Sequence, residues 1–276
     1  MQNNDISELN FPMPAIMGIL NVTPDSFYSK SRYNTVDKAI EASEKMLEEG
    51  ADIIDIGGMS SRPGAEFVSL DEEKKRIVPV LKELKNRFPD TIISVDTFRS
   101  EIAEISIDNG ADIINDISAG NLDRKIIDVV AKYQIPYIFM HMKGIPKNMQ
   151  DNPVYDDVLG DVLKFMFRKI RELKSKGVKN IITDPGFGFG KSIDDNYRLL
   201  ENLDIFKILE IPVLVGVSRK SMMYKLLKIT PEESLNATSA LHAIALLKGA
   251  KILRVHDVKE AKEIVTLMEK FKNHST

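Results

Sequence analysis

The segment ITDPGFGFGKS, residues 182 to 192, combines an acidic residue, alternating glycines, a lysine and a serine, which are types that can bind a charged ligand. Glycines ahead of Lys191 and Ser192 suggest a phosphate-binding loop, but that loop needs a glycine five positions before its last glycine. Counting back from Gly190 gives Pro185, whose ring fixes φ and which has no backbone N–H to offer a phosphate. The segment is therefore not a nucleotide loop of this kind and needs another explanation.

Three other stretches share one pattern, in which a charged run, Gly-Ala, a short apolar run and a polar residue follow each other. In EEGADIIDIGG, DNGADIINDIS and LKGAKILRVHD, the glycines are Gly50, Gly110 and Gly249, at positions typical of helix C-caps. The polar residue stands five positions after each glycine. These polar residues are Asp55, Asn115 and Arg254, and a fourth unit with a longer lead-in ends in Asp184.

Four further apolar runs lie between these units, and amphipathic segments separate successive runs. Strands that alternate with helices form parallel βαβ units. Eight strands in 276 residues give about one unit per 34 residues, the size expected of a (β/α)8 TIM barrel. An open doubly wound sheet is the alternative, disfavoured because no glycine-rich dinucleotide turn follows the first strand. Since no linker or composition break is visible, we expect one α/β domain over residues 1–276, with its core at about 15–271.

The composition excludes several classes of function. The net charge of −3 provides no field that would favour nucleic acid or an anionic membrane. The chain has no cysteine, which excludes disulfides, thiolate metal sites and cysteine nucleophiles. No apolar run reaches the roughly 20 residues of a membrane helix, and the polar start MQNNDISELN is unlike a signal peptide. We expect a cytoplasmic protein without nucleic-acid or membrane partners.

In barrels of this type the reacting groups lie at the carboxyl ends of the strands. Any single polar residue there could be a helix N-cap or a loop residue, but a polar side chain at every strand end predicts a site. These side chains are Asn21, Asp55, Asp96, Asn115, His141, Asp184, Ser218 to Lys220, and Arg254 with His256.

The chemistry at these ends is mixed. Two carboxylates and two carboxamides suit a ring rich in N–H donors and ring nitrogens, whereas four basic residues suit an anion. The two sets are Asp96, Asp184, Asn115 and Asn21, and Arg62, Lys220, Arg254 and His256. We therefore expect a polar heterocycle that carries a phosphate or diphosphate. Because no His and carboxylate cluster has metal-ligand spacing, a Mg2+ ion would be held mainly by the ligand's own phosphates.

Eight motifs in order carry a resemblance to a known family. They are NVTPDSF (21–27), SSRPGA (60–65), SVDTF (94–98), IINDIS (113–118), HMKGIPKNMQDNP (141–153), ITDPGFGFGK (182–191), GVSRKS (216–221) and ILRVHDV (252–258). Over nearly the whole chain, the sequence resembles the dihydropteroate synthase family. The resemblance implies the (β/α)8 fold and a transferase of folate biosynthesis that is the target of sulfonamides. Such an enzyme joins 6-hydroxymethyl-7,8-dihydropterin diphosphate to 4-aminobenzoate and releases pyrophosphate and 7,8-dihydropteroate.

The resemblance also implies a ligand for each position that matches a motif, with Asp184 as the anchor of the pterin. The positions that match pterin contacts are Asp96, Asn115, Met140, Asp184, Gly216 and Lys220. Those that match diphosphate contacts are Asn21, Ser61, Arg62, Arg254 and His256, with Mg2+ between Asn21 and the phosphates. Those that match 4-aminobenzoate contacts are Ser61, Arg62, Phe189, Lys220 and Ser221.

Catalysis, by the same resemblance, depends on departure of Mg-bound pyrophosphate, which leaves a cation at the pterin methylene. The matching catalytic positions are Asp96, Lys220, Arg62, Arg254 and His256. No protein nucleophile is needed. The segments around 23–34 and 59–68 match two mobile loops that close over the site, and a homodimer is expected.

Three positions depart from the usual family pattern. Ser61 stands where threonine is usual, Met59 replaces a residue that is commonly glutamate, and the loop DSFYSKSRYN lacks the usual Asp-Gly-Gly. These changes bear on sulfonamide sensitivity more than on catalysis. Two rival hypotheses are a pterin-binding methyltransferase, which needs no diphosphate clamp, and a non-catalytic paralogue that retains the pterin pocket.

Overall fold

Short strands and longer helices alternate along the computed structural model, which describes residues 13–23, 32–59, 67–144, 149 and 153–272. The strands within these ranges are β1 Ala15–Asn21, β2 Ile53–Gly57, β3 Ile92–Asp96, β4 Ile113–Asp116, β5 Tyr137–Met140, β6 Ile181–Asp184, β7 Leu214–Val215 and β8 Ile252–Val255. The α-helices are α1 Arg32–Glu48, α2 Leu70–Arg87, α3 Ser100–Asp108, α4 Lys125–Tyr133, α5 Val158–Ser175, α6 Ile193–Glu201, α7 Ser221–Leu227, α8 Leu235–Leu247 and α9 Val258–Lys272. Two 3-10 segments are Leu203–Leu209 and Glu232–Ser234.

The strands form one sheet in the order β6-β5-β4-β3-β2-β1-β8-β7, and the pairings between them are parallel. A bridge between Thr183 and Val213 brings β6 next to β7, and Thr183 N donates to the carbonyl oxygen of Pro212 at 2.9 Å. The sheet therefore curls into a nearly closed barrel. The predicted (β/α)8 barrel is confirmed, and the open doubly wound sheet is wrong.

The interior of the barrel is filled by apolar side chains, one or more from almost every strand. They are Ala15, Met17, Ile53, Ile113, Ile138, Ile182, Leu214 and Ile252, with Met13 and Ile92 packed against them. Because side chains alternate along a strand, the residue two positions later faces the same interior, one layer nearer the carboxyl end. Five residues of that next layer are polar, and the others are Ile19, Met140 and Gly216. The polar ones are Asp55, Ser94, Asn115, Asp184 and Arg254. Because side chains alternate along each strand, an apolar layer fills the interior of the barrel and a largely polar layer lies at its rim.

A larger apolar core lies between the outer face of the strands and the surrounding helices, and it includes Ile54, Val95 and Phe139. Gly50, Gly110 and Gly249 end the turns after α1, α3 and α8 with φ of 98°, 97° and 106°. Side chains are strained at such angles, so glycine is favoured there. The glycines after α3 and α8 directly follow the C-cap residues Asn109 and Lys248, so they stand one position beyond the predicted caps.

No helix in the described part of the chain is long and apolar enough to cross a membrane. One domain over residues 1–276 stays a prediction, because that range includes residues outside the described ones.

Candidate active site

Arg254 lies at the centre of four polar side chains on the rim of the barrel, the Arg254 cluster, which consists of Arg254, Asp55, Asp96 and Asn115. Arg254 Nε donates to Asp55 Oδ2 at 2.7 Å, and its Nη2 donates to Asp96 Oδ2 at 2.8 Å. Asn115 Nδ2 donates to the same oxygen of Asp55 at 3.1 Å. The cluster therefore joins β2, β3, β4 and β8 at their carboxyl ends.

Charge within the Arg254 cluster is unbalanced, because one guanidinium faces two carboxylates. The side chain of Asp96 is only 12% exposed, and that of Asp55 is fully buried. Burial raises the pKa of Asp96 to about 7 against the effect of Arg254, and Asp55 raises it further. Burial alone would lower the pKa of Arg254, but Asp55 and Asp96 keep it above its usual value. A carboxyl that titrates near neutral pH can both donate to and accept from a bound ring.

Asp184 ends β6 and is almost completely buried. Its Oδ1 accepts a hydrogen bond from the backbone N–H of Gly186 at 2.7 Å. Burial raises the pKa of Asp184, whereas nearby Lys220 lowers it. Met140 is its partner in the β5–β6 register and supplies an apolar neighbour. Asp184 therefore combines a buried carboxylate with an adjacent cation and an apolar side chain, which suits a flat polar ring.

The turn of residues 185–190 follows Asp184 directly. Gly186 and Gly190 have φ of 73° and 62°, and a Cβ on either would collide with the carbonyl oxygens of His141 and Lys143, respectively. Glycine is therefore required at both positions. Ser192 is the N-cap of α6 and forms a capping box with its N3 residue, so the predicted helix start after Lys191 is confirmed.

Lys220 faces the same turn from the loop after β7. Its Nζ donates to the carbonyl oxygen of Phe187 and lies 4.4 Å from the centre of the Phe189 ring. Burial lowers the pKa of Lys220 to about 8, against the opposing effect of Asp184. Ser221 is the first residue of α7, directly after Lys220. An ammonium and an aromatic ring thus come together near Asp184, and Ser221 stands next to that ammonium's residue in the chain.

A second ion pair joins the loops after β7 and β8. Arg219 Nε and Nη2 donate to the two carboxylate oxygens of Asp257 at 2.9 Å and 2.6 Å. Ser218 Oγ accepts from the backbone N–H of His256 at 3.2 Å and lies 3.0 Å from His256 Nδ1. Arg219 precedes Lys220 and Asp257 follows His256, so these contacts hold the two candidate ligand-binding side chains at the same side of the rim.

Residues 17–256 match the family described as pterin binding enzyme. A dihydropteroate synthase of Haemophilus influenzae is 45% identical over 263 residues, which are 95% of this chain and 95% of that protein. A dihydropteroate synthase of Escherichia coli is 42% identical over 265 residues, which are 95% of this chain and 93% of that protein. The chain belongs to the dihydropteroate synthase family.

Solved dihydropteroate synthases share the fold. The structure from Yersinia pestis with a sulfonamide drug complex has a TM-score of 0.89 at 43% identity, covering 96% of each chain. The structure from Xanthomonas albilineans with 4-aminobenzoic acid has a TM-score of 0.88 at 39% identity, covering 94% of this chain and 93% of that one. The family resemblance of the eight motifs is confirmed, and the protein is a transferase of the dihydropteroate synthase type.

Asn21 is the last residue of β1. The resemblance to dihydropteroate synthases implies that this residue contacts Mg2+. A Cβ on Gly57 would stand 3.3 Å from Asn21 Oδ1, so the glycine leaves room around this amide oxygen. Among the residues that the structure describes, no group of three or more His, Cys, Asp or Glu side chains could hold a metal ion. An amide oxygen is a ligand that Mg2+ accepts, and the donor set fits an ion that takes its other ligands from a diphosphate and water.

Two of the site residues predicted from the dihydropteroate synthase motifs, Ser61 and Arg62, lie outside the described residues. So do residues 24–31 and 60–66 of the two loops expected at 23–34 and 59–68. The roles of these residues stay predictions.

The assignment from dihydropteroate synthase motifs gave no role to Asp55, although the structure places it in the Arg254 cluster. Its Oδ1 is buried and has no hydrogen-bond partner among the described residues. The signal was available, because Asp55 has the same five-residue spacing from a glycine as Asn115 and Arg254. Lys191 was also left without a role, and no sequence signal distinguished its side chain from a solvent-exposed one.

Proposed function

We propose that this site joins 6-hydroxymethyl-7,8-dihydropterin diphosphate to 4-aminobenzoate, giving 7,8-dihydropteroate and pyrophosphate. The observation that carries the proposal is the position of the Arg254 cluster, Asp184 and Lys220 at the carboxyl ends of strands in one barrel. Buried carboxylates there match the N–H donors of a pterin, and the cations match a diphosphate and a carboxylate. The solved relative with 4-aminobenzoic acid supports the choice of the second substrate.

The pterin binds to Asp184 in this proposal. A carboxylate accepts two parallel hydrogen bonds from a ring N–H and its adjacent exocyclic amine, and such charge-assisted pairs are stronger than neutral ones. Asp96 and Asn115 bind the opposite edge of the ring, and Lys220 binds a ring acceptor. Met140 and Gly216 form the apolar walls. Gly216 has no side chain, so the ring can approach the backbone there.

The diphosphate binds to Asn21, Ser61, Arg62, Arg254 and His256. Arg254 is the best supported of these, because its guanidinium is held in place by Asp55 and Asp96 before any ligand arrives. His256 is a phosphate ligand here and not a base. Bound Mg2+, held by Asn21 and the diphosphate, would neutralise charge on the leaving group.

The 4-aminobenzoate binds beside the pterin, against Phe189, Lys220 and Ser221, with Ser61 and Arg62 from the loop after β2. Lys220 supports this position, because its ammonium lies over the Phe189 ring, and Ser221 follows it in the chain as the first residue of α7. The apolar ring can pack on Phe189, while the carboxylate accepts from the Ser221 hydroxyl.

The chemical step breaks the bond between the pterin methylene and the diphosphate oxygen, and the electron pair leaves with pyrophosphate. The resulting cation is delocalised into the ring, and Asp96 is the carboxylate placed to stabilise it. The amine of 4-aminobenzoate then donates its lone pair to the methylene and releases a proton. The chain's contribution is to stabilise the leaving group, align the amine and exclude water.

We also propose that the protein is a cytoplasmic homodimer. Helices α8 and α9 pack against each other, and each exposes two large apolar side chains. These are Ile244, Leu247, Leu267 and Phe271. Exposed apolar side chains on neighbouring helices are typical of an interface. The absence of cysteine fits a reducing compartment. Sedimentation velocity tests the dimer, and Leu247→Asp with Leu267→Asp should give a monomer.

The reaction is tested by measuring pyrophosphate release with each substrate alone and with both, and by identifying 7,8-dihydropteroate by mass spectrometry. Release that requires both substrates is expected. A pterin-binding methyltransferase would release no pyrophosphate, and a non-catalytic paralogue would bind the pterin diphosphate without turnover. Either of these results would contradict the proposed function.

A further inference from the structure

Lys191 carries a buried ammonium that the proposed reaction does not use. The residue is only 2% exposed. Its Nζ donates to the carbonyl oxygens of Gly186 at 2.8 Å, Phe189 at 3.1 Å and His141 at 3.3 Å. It also lies 3.1 Å from His141 Nδ1. Burial lowers the pKa of His141 to about 2, so its ring is neutral and Nδ1 can accept from the ammonium.

The partners of Lys191 are unusual for a buried cation. Within the described residues its hydrogen-bond partners are backbone carbonyls and a neutral ring. Burial lowers the pKa of Lys191 to about 7, and the charges of Asp184 and Asp195 oppose this effect. Removing a charge from water is costly unless every hydrogen is satisfied. Here the ammonium donates to the carbonyl oxygen of Phe189 and is a second donor to that of Gly186. Its ammonium therefore lies beneath the turn.

The turn that Lys191 supports carries two of the groups that meet Lys220. Phe189 presents its ring to the Lys220 ammonium at 4.4 Å, and the carbonyl oxygen of Phe187 accepts from that ammonium. The turn also has an internal hydrogen bond from Phe189 N to Gly186 O at 3.1 Å, which shares its acceptor with Lys191. Any shift of the turn therefore moves the Phe189 ring and Lys220 together.

We propose that Lys191 is a positioning residue for the aminobenzoate site, because its buried ammonium ties the turn 185–190 to the end of β5 and so places Phe189 and Lys220. The proposal rests on the proposed function for the identity of the ligand. The Asp184 carboxylate also contacts the turn, through Gly186 N, but its backbone belongs to β6 and is held by the sheet, so Asp184 depends less on this tie. The two substrates should therefore respond differently to loss of the ammonium.

The decisive variant is Lys191→Met, which keeps the length of the side chain and removes its three donors. We expect the KM for 4-aminobenzoate to rise by about tenfold or more. The Kd for the pterin diphosphate should rise much less, because Lys220 is only one of the proposed pterin contacts and Asp184, Asp96 and Asn115 keep their places on the strands. The matched control is Lys169→Met. Lys169 is also a buried lysine, 6% exposed, but its ammonium pairs with Glu172 Oε2 at 2.8 Å on α5. The control should lower the melting temperature and leave both constants unchanged.

A rescue experiment separates positioning from a general loss of folding. The chain has no cysteine, so Lys191→Cys provides a single thiol. Alkylation of that thiol with 2-bromoethylamine in denaturant, followed by refolding, restores an ammonium at nearly the length of lysine. Wild-type protein taken through the same steps is the control. The alkylated protein should regain a low KM for 4-aminobenzoate, and the untreated variant should not.

Amide hydrogen exchange gives a readout that does not depend on catalysis. Peptides covering residues 185–192 should exchange faster in Lys191→Met than in wild type, and at the wild-type rate in Lys169→Met. If this difference appears but the wild-type protein makes no dihydropteroate, the proposed function fails while the support of the turn stands. Unchanged exchange in a folded Lys191→Met, an unchanged KM for 4-aminobenzoate, or an equal loss of both substrates would overturn the positioning role.

Discussion

Arg254 and Asp96 form an ion pair across the rim of the barrel, with Nη2 and Oδ2 2.8 Å apart. Their strands, β8 and β3, are not neighbours, because β1 and β2 lie between them. The same guanidinium also binds Asp55 on β2. The Arg254 side chain therefore reaches across the rim from β8 to β3. Its single positive charge is shared between the carboxylates of Asp55 and Asp96.

The burial of Asp96 in this cluster, with Asp55 beside it, predicts a pH dependence of stability. The pKa of Asp96 is raised from 3.8 to about 7, so between these values the folded state holds a proton that the unfolded chain releases. The free energy of unfolding should therefore fall as pH rises from about 4 to about 7, by up to about 4 kcal/mol from this residue. Asp96→Asn removes the titration. Urea unfolding of wild type and Asp96→Asn at several pH values measures the difference between their free energies of unfolding. A difference that does not change with pH would mean that Asp96 is ionised in the folded protein over this whole range.

Replacing Arg254 should cost turnover more than pterin binding. Arg254→Ala removes the guanidinium that would bind the diphosphate and leaves Asp55 and Asp96 without their cation. The kcat should therefore fall about 100-fold or more. Arg254→Lys keeps one charge but loses the planar fork, and an intermediate loss is expected. Steady-state kinetics and calorimetric pterin titration measure the two quantities. Near-normal turnover in Arg254→Ala would show that β8 does not carry the leaving-group site.

Asp184→Asn should act on pterin affinity. The carboxamide keeps the shape but places an N–H against a ring donor and discards the charge, so the Kd for the pterin diphosphate should rise about 100-fold. Calorimetric titration measures it. Asp195→Asn is the matched control, since Asp195 belongs to the capping box of α6. That variant should lose about 1 kcal/mol of stability and keep its pterin affinity. Unchanged affinity in Asp184→Asn would mean that the anchor lies elsewhere.

The two substrates should bind in order. In the proposed aminobenzoate site, the described residues are Phe189, Lys220 and Ser221. The proposal takes the remaining contacts from Ser61 and Arg62, which lie outside the described residues. Ordering a loop costs roughly 1 to 2 kcal/mol per residue in backbone entropy. A filled diphosphate site would supply part of that cost through Arg62 and Asn21, and 4-aminobenzoate should bind at least about tenfold more tightly when pterin and Mg-pyrophosphate are present. Equal affinity with and without these ligands would show a preformed second site.

Most of the barrel could be predicted from local patterns. Glycine after a helix, followed by a short apolar run, marks the start of a strand because few other residues accept the required φ, as at Gly50 and Gly110. Alternation then sets which side chains enter the interior, so Ile53 and Ile113 face inward and Asp55 and Asn115 follow them at the rim. Strand β7 was the least predictable element. The apolar run at 211–218 forms only Leu214–Val215 as a strand, and neighbouring residues pair through isolated contacts.

The sequence by itself determined which residue types stand at the carboxyl ends of the strands, because that order depends on spacing along a single strand. Only the tertiary structure decided which of them meet. Arg254 contacts Asp96 and Asp55, which are 158 and 199 positions away in the chain, and closure of the barrel brings them together. Lys191 shows that the sequence alone also leaves some contacts between residues close together in the chain undecided. Its position before α6 was predictable, but its side chain turns inward because the end of β5 and the turn 185–190 present carbonyl oxygens there, and those acceptors exist only once the two loops have packed.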